Sequence, residues 1–467
     1  MRNKLIILTL SILIIFLISG ILLAETVSLN RSITISLENN NNYKRAFESA
    51  NESSQKVKEV WGMLWPTLST DATYTRLGAE AGMSSSIDAQ YDIKFINGNI
   101  TVNPGIFYNS LKASRSAHVI AVSDLRKVKS ETTIQTISLY YGVMLARESV
   151  KMRKESLEAL KENLKTVTTG YEKGILSRLD FLRAKVAFSN AKTMLINSEN
   201  DYLTALSGLN IHLGYEIDYP LKISSGSTTV SDKMLTPIGS KASRKGDFVN
   251  NMIGEALKNR PELIQIRKKR EAEVFSAKAQ ESFYMWPTFF IDGSYGQSKS
   301  VSSGSSESTG DPQMDAIMSG LQENFTPSGW NREWAITFGA SYRWGALSPL
   351  DPSHAKSKQN RSKAKQTEFQ LKDFIKAVKL EVKRGYLKLK SAQNSLNAQK
   401  GNIETAEETL KVSIVQFKNG IIDNTRLLEA NVQLTTARTL FIQSLFNYQV
   451  AKAELNKAIG QDYFTIE

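Results

Sequence analysis

"YEKGILSRLDFLRAKVAFSNAK" spans Tyr171–Lys192, and "FKNGIIDNTRLLEANVQLTTAR" spans Phe417–Arg438. Each reads as an aromatic residue, two polar residues, Gly-Ile, and then an apolar run with Ala and Val at matching places. Gly174 and Gly420 stand 246 positions apart, and the same spacing separates Tyr140 from Tyr386 and Gly214 from Gly460. Three anchors at one offset describe a duplication without internal slippage. Upstream, "WPTLSTDATYT" from Trp65 matches "WPTFFIDGSYG" from Trp286 at an offset of 221, a change that one loop of different length explains. A chain written twice argues for an architecture of repeated units rather than two unrelated domains.

Working outward from the motif, each half contains one very long helical pattern. In the first, Leu139, Val143, Ala146, Val150, Leu157, Leu160, Leu164 and Tyr171 follow steps of three and four, with Arg153 the one polar member. In the second, Leu371, Ile375, Val378, Val382, Tyr386, Leu389, Leu396, Ile403, Ala406, Leu410 and Phe417 do the same. A sustained stripe of this kind is a coiled-coil seam. The spacing predicts helices over about 110–170 and 354–418, each roughly 90–95 Å long at ~1.5 Å per residue. Shorter helices are expected over 180–213 and 426–459, each stopping at a Gly, and over about 28–64 and 248–285. Two short helices laid end to end match one long helix. The Ser/Gly-rich stretch 224–247 has no period and reads as a linker between a first repeat, 25–223, and a second, 248–467.

Between short and long helix each half holds a non-helical stretch. In "WAITFGASYRW", Trp334, Ile336, Phe338, Ala340, Tyr342 and Trp344 alternate with Ala335, Thr337, Gly339, Ser341 and Arg343. One apolar, aromatic face and one small, polar face, with Trp at both ends, fit a transmembrane barrel strand. "TFFIDGSYGQ" sets Phe289, Ile291 and Tyr295 against Asp292 and Ser294, and "TLSTDATYT" sets Leu68, Ala72 and Tyr74 against Asp71 and Thr73. A fourth strand lies within 91–108 and breaks register near Asn97-Gly98, through a bulge or a small hairpin. The polar stretch 298–333 reads as an extracellular loop. The fold class is therefore mainly α with a β-barrel part and a two-fold internal repeat. About four strands neither close a barrel nor bury both faces of a sheet. The chain must oligomerise, and three copies give twelve strands.

The bulk properties set the compartment. The chain has 467 residues, 41% hydrophobic and 22% charged, with no cysteine and a net charge of +13. Its Lys and Arg are scattered along helical stretches among Glu, without a nucleic-acid-binding signature, so no nucleic-acid partner is expected. "MRNK" followed by the apolar run Leu5–Ala24 reads as an export signal, 1–24, cleaved after Ala24; Leu22 at the −3 place leaves an uncleaved anchor as the alternative.

The two-fold repeat, the "WPT" that opens each strand region, "NRPEL" at Asn259–Leu263 and the paired Gly-Ile motifs together resemble the TolC-like family of outer-membrane efflux and secretion channels. The resemblance covers nearly the whole chain after Ala24. It implies a homotrimer with a twelve-stranded barrel in outer-membrane lipid and a long α-helical tunnel in the periplasm. The Gly motifs then fall at the periplasmic tips, where two antiparallel helices turn. Three protomers with two hairpins each give a six-fold mouth. In the family the tips meet a periplasmic adaptor (a membrane fusion protein) attached to an inner-membrane pump of RND or ABC type, and the channel conducts drugs, small toxic molecules or secreted proteins.

Residues at the two turns carry the functional expectations. Gly174 and Gly420 permit a sharp reversal through φ > 0. Tyr171 and Phe417 close the seam below the turn, and Ile175 and Ile421, apolar at the tip, either fold back onto the hairpin or, as the resemblance implies, meet an adaptor. By the 246 offset Asp180 maps to Arg426, Arg183 to Glu429 and Ser177 to Asp423. Opposite charges at equivalent places favour a gate of salt bridges between neighbouring tips, built from Asp180, Arg183, Asp423, Arg426 and Glu429. Relatives commonly carry Asp where Arg426 stands, so a purely acidic mouth is not expected. His118, His212 and His354 lie far apart without ligand spacing, and no phosphate-binding, dinucleotide or nucleophile motif occurs. No catalytic site, metal or cofactor is expected. The competing readings are a coiled-coil envelope scaffold on an uncleaved anchor, which needs no alternating aromatic strands, and a diffusion porin, which needs no ~90 Å helices.

Overall fold

The computed structural model describes residues 26–76, 89–224, 245–301, 311–317, 329–344 and 348–461. The expected signal, most of the linker and, in the long polar loop, 302–310 and 318–328 lie outside these residues. In chain order the elements are β1 (Thr26–Val27), α1 (Leu29–Asn39), α2 (Asn41–Gly62), β2 (Thr67–Arg76), β3 (Ala89–Val102), α3 (Pro104–Glu172), α4 (Arg178–Leu213) and β4 (Lys222–Ile223). They continue with α5 (Lys245–Asn259), α6 (Pro261–Met285), β5 (Thr288–Val301), β6 (Asn331–Ser341), α7 (Pro352–Lys418) and α8 (Asn424–Ile459). Two helices, two strands, a long helix, a turn and a helix thus occur twice. The long helices α3 and α7 have 69 and 67 residues. At ~1.5 Å per residue each is about 100 Å long.

The chain forms two compact units, each drawing on both repeats. Of the described residues, the first takes those up to 48, in 122–264 and from 372; the second takes those in 49–121 and 265–371.

In the first unit the stripe on α7 is a seam: Val378, Val382, Tyr386, Leu389, Leu396 and Ala406 are buried, and Ile375, Ile403, Leu410 and Phe417 are half-buried. On α3 the result is more divided. Tyr140, Val143, Met144, Met152 and Val167 are buried, whereas Leu139, Ala146, Val150, Leu157, Leu160 and Leu164 are half-buried. The reason is that α3 packs on more than one face, against α1 through Thr136 and Ser36, and against α8 through Asn163 and Asn424. A two-stranded parallel sheet, β1 with β4, was not foreseen. It anchors the first residues described by burying Val27 with Tyr140, Val143, Leu209, Leu213 and Ile223.

The shorter helices expected over 28–64 and 248–285 are each broken in two. Asn40 ends α1 in an extended conformation and caps α2, its Oδ1 accepting from the backbone N–H of Asn42 at 2.9 Å. Pro261 starts α6, where its missing N–H costs nothing. The two breaks are equivalent in the repeat, and each receives the end of another helix. Gly214, at φ 81, comes so close to Asn39 that a Cβ would lie 2.8 Å from that side chain. Gly460, at φ 78, sits against Asn259 and Arg260 in the same way. Arg260 of "NRPEL" is 3% exposed and bonds both carboxylate oxygens of Glu381, at 2.5 and 3.1 Å.

The second unit holds the antiparallel sheet, in the order β2-β3-β5-β6. The strand within 91–108 is one continuous strand, β3. Facing β5 its register shifts between Lys94 and Ile96, and facing β2 between Lys94 and Asn97, so the bulge lies at Phe95-Ile96, directly before Asn97-Gly98, and that pair is itself in register on both sides. Strands β5 and β6 also run into the expected loop, with Ser298 paired to Asn331, so the connection is shorter than 298–333. The alternation expected from sequence holds within the strands, but β6 ends at Ser341, so Tyr342 and Trp344 lie beyond it. Leu68, Tyr74, Phe289, Ile291, Tyr295, Trp334, Ile336 and Phe338 are exposed. On the other face Asp71 accepts from Ser69 and Asn97 at 2.9 and 3.0 Å, and Asn99 donates to Asp292. Beneath the sheet, Asn103 donates to the Trp286 carbonyl at 3.0 Å, and Glu281 pairs with Arg361 at 2.6 Å.

Candidate functional site: the paired helical turns

Four residues among those described hold positive φ, and all are glycines: Gly174, Gly214, Gly420 and Gly460. They are two pairs at the 246-residue offset. At the first turn the N–H of Gly174 donates to the Tyr171 carbonyl at 2.9 Å, and that of Ile175 to Gly170 at 2.8 Å. At the second, Gly420 donates to Phe417 at 3.0 Å and Ile421 to Gln416 at 2.9 Å. This pattern satisfies the last carbonyls of a helix while a left-handed residue reverses the chain. Both glycines are therefore required where the sequence places them.

The next residues start α4 and α8. Ser177 caps α4 and Asp180 answers it: the Asp180 N–H donates to Ser177 Oγ at 3.1 Å, and Ser177 Oγ and N–H donate to Asp180 Oδ2 at 2.6 and 3.3 Å. At the second turn Asp423 is the cap, accepting from the Arg426 N–H at 3.0 Å. The exchange of Asp180 for Arg426 thus accompanies an exchange of caps. Ser with Asp forms a reciprocal box, whereas Asp alone serves the other turn. In the single chain Arg426 meets Glu429 on its own helix at 3.7 Å, with both side chains exposed. Such a pair is worth ~0–1 kcal/mol. Arg183 reaches across to the other hairpin, donating to Thr425 Oγ1 at 2.8 Å.

The apolar tip residues separate into two groups. Ile175 is 76% exposed and Ile421 68%. Leu176 instead folds back over Gly170, where a Cβ would lie 2.7 Å from its Cδ1. Tyr171 stacks on Phe181 with ring centroids 5.5 Å apart, and remains partly exposed. Phe417 is half-buried and lines a cavity of about 260 Å³ with Leu410, Ile414, Leu427 and Leu428. Both aromatics therefore sit under the turns as the sequence suggests.

Sequence reasoning missed the polar contacts that join the hairpins. Asn163 donates to Asn424 at 2.9 Å, and Ser156 to Asn431 at 3.1 Å. Arg438 bonds Glu155 and Glu407, each at 2.9 Å. Their one signal is that the repeat exchanges a cation for an amide at two of these positions: Asn424 and Asn431 correspond to Arg178 and Lys185, whereas Arg438 corresponds to Lys192.

The histidines are spread over both units. His118 lies 2.9 Å from Ser53 Oγ, and His354 stacks on Tyr284. His212 is buried, its Nε2 2.9 Å from Thr136 Oγ1, and burial holds its pKa below the usual 6.5. Among the described residues no three His, Cys, Asp or Glu side chains gather as a metal site.

Repeated helical hairpins with glycine turns, joined in sequence to strands that are apolar on one face, define the protomer of an outer-membrane channel fold. The chain belongs to the outer membrane efflux protein family, whose model matches residues 33–214 and 252–461. Nodulation protein T of Rhizobium leguminosarum bv. trifolii is 19% identical over 366 residues, 77% of this chain and 69% of that protein. The Campylobacter jejuni CmeC outer membrane channel is 14% identical with a TM-score of 0.73, over 92% of this chain and 85% of that one. The outer membrane protein VceC of Vibrio cholerae is 13% identical with a TM-score of 0.73, over 93% of this chain and 96% of that one. At such identities the likeness is one of fold. The family and fold are those of channel proteins.

Proposed function

We propose that this chain is the outer-membrane channel-tunnel of a tripartite export system. It is a passive homotrimeric conduit, without catalysis, for small toxic molecules or secreted proteins. The observation that carries the reading is the four-stranded sheet. One face is exposed, apolar and aromatic, the other is polar, and among the described residues the terminal strands β2 and β6 each have one neighbour. A sheet of this kind is stable in lipid once copies close it into a barrel. Three copies give twelve strands in the outer membrane, with the helices in the periplasm.

The turns at Gly174 and Gly420 form the periplasmic mouth. Tyr171, Ile175, Phe417 and Ile421 are the surface that a periplasmic adaptor covers, since exposed Ile at a turn gains by burial against a partner. The adaptor links the mouth to an inner-membrane pump of RND or ABC type. Asp180, Arg183, Asp423, Arg426 and Glu429 hold the mouth closed. Each exposed pair contributes only ~0–1 kcal/mol. Several pairs repeated by symmetry keep the closed state a few kcal/mol below the open one, and an adaptor that binds the open tips better shifts that balance.

Single-channel recording in planar bilayers tests the gate. Asp180→Arg and Arg426→Asp are each expected to raise conductance, and the double exchange to restore closure in part. Asp180→Asn keeps an oxygen for Ser177, and so separates loss of the cap from loss of the charge. Parent-like conductance from both single variants, in assembled trimers, removes these residues from the gate. No channel activity at all from the assembled parent in bilayers, even with its tip opened by these variants, refutes the conduit.

A further inference from the structure

The α3 stripe has one polar member, Arg153, and neither the turns nor the sheet gives it a task. The repeat sets uncharged Gln399 at the equivalent place, so the cation belongs to the first hairpin alone. Arg153 is half-buried, and its Nη1 donates to Met194 Sδ of α4 at 3.5 Å. A thioether is a weak acceptor and brings no charge. The nearby carboxylates serve other cations: Glu199 pairs with Lys154 at 3.5 Å, and Glu155 with Arg438 at 2.9 Å. Among the described residues no carboxylate pairs with Arg153.

This guanidinium stands at a cavity of about 520 Å³ between α3, α4 and α8. One chain supplies every lining residue. Ala187 and Ala191 of α4 make the room, and Leu160, Leu428, Val432 and Leu440 make the walls apolar. Much of the polar lining is occupied locally. The Thr435 and Thr439 hydroxyls donate to the backbone carbonyls of Asn431 and Thr435 at 2.9 and 2.8 Å, and Ser156 bonds Asn431. Arg153 is the one charged residue of the lining. The volume falls in the range of small-molecule sites, about 300–1,000 Å³. Along α8 the lining runs from Leu428 to Leu440, roughly 18 Å at ~1.5 Å per residue, enough for an extended alkyl chain of medium length.

We propose that this cavity binds an amphiphilic anion, a single alkyl chain with a carboxylate or another oxyanion head. The head pairs with Arg153, whose planar fork matches two oxygens at once. The chain leaves water against the leucines, Val432 and the alanines. An ammonium head meets the like charge of Arg153, and a neutral alcohol leaves the guanidinium without a counter-charge, so both are rejected. The site lies within one copy, goes beyond the channel reading and stands independently of the trimer.

The test uses the full-length protein in nanodiscs of zwitterionic lipid, with a dodecanoate whose chain ends in a photoreactive diazirine. Besides any label on the strands, peptide mapping should find label on α4 between Ala187 and Met194 and on α8 between Leu428 and Leu440. Dodecanoate and dodecyl sulfate should displace it about tenfold more effectively than dodecanol or dodecyltrimethylammonium. Arg153→Gln should lower the cavity label about tenfold. Ala187→Phe, which fills the cavity and keeps Arg153, should lower it as much. Lys165→Gln removes an exposed cation of α3 outside the cavity and should leave the label unchanged. Monoacyl phosphatidylglycerol has the same head charge and single chain. Stronger displacement by it than by dodecanoate names a membrane lipid as the source, and the reverse order names a free anion; either supports the site. Absence of label from α4 and α8 overturns the proposal. So does cavity label that Arg153→Gln leaves unchanged, or equal displacement by dodecanol. The competition series in the parent decides the matter even where a variant fails to fold.

Discussion

Gly174 and Gly420 have open space where a Cβ would stand, so their requirement is conformational and not steric. A left-handed conformation costs an L-residue about 1–2 kcal/mol. Gly174→Ala is accordingly expected to destabilise the first hairpin by about 1–2 kcal/mol, read by chemical denaturation. Gly208→Ala is the control. Gly208 is also unobstructed but lies inside α4, where Ala is favoured by roughly 0.5–1 kcal/mol. Equal effects from the two variants contradict this account of the turn. Arg260 is a different case, since its side chain is buried while its partner Glu381 is half exposed. Hydrogen bonds to charged groups contribute about 1.5–3 kcal/mol, so Arg260→Ala should lose about that much. Lys cannot reproduce the two-pronged bond, and Arg260→Lys should recover little of it. Parent-like stability of Arg260→Lys in the same denaturation assay contradicts this reading. The glycines were legible in the sequence because backbone demand leaves few residue choices. Arg260 was legible only as part of a motif, because a lone Arg before Pro does not say which carboxylate it meets 121 residues later.

At the scale of elements, the end of α4 makes a pH-dependent contribution. His212 lies in its last turn, buried against Thr136 of α3 and near Ser36 of α1. Burial favours the neutral ring, so the folded-state pKa is below 6.5 while the unfolded ring titrates near that value. The unfolded state then binds the extra proton first. The contribution is complete above about pH 6.5 and is lost as pH falls from there through the folded pKa. The melting temperature of the parent should fall between pH 7.5 and pH 5.5 more steeply than that of His212→Gln. Parallel pH profiles for the two would contradict it. Legibility also varied among the elements. The α7 stripe was read correctly because one face of that helix is buried. The α3 stripe was read in part, because partners on several sides blur a single 3/4 pattern. The sequence of β3 allows a bulge or a hairpin near Asn97-Gly98, because that pair favours turns. The bulge is what forms, just before the pair, and pairing of Asn97 and Gly98 on both sides excludes the hairpin.

For the whole molecule, the internal repeat was the most legible feature. It fixed the element order and the paired turns, because a duplicated sequence repeats its backbone demands. The seams were the least legible. A side-chain contact depends on two distant stretches, and Asn163 with Asn424 looks like any two polar residues until the helices are in place. The central claim is that one chain supplies a third of a closed barrel and two of six hairpins. Its apolar strand face leaves a lone copy incomplete. The most direct measurement is the mass of the detergent-solubilised protein by size exclusion with multi-angle light scattering. The account predicts a protein component of three chain masses, helix-dominated in circular dichroism. A folded, stable monomer at one chain mass would contradict it.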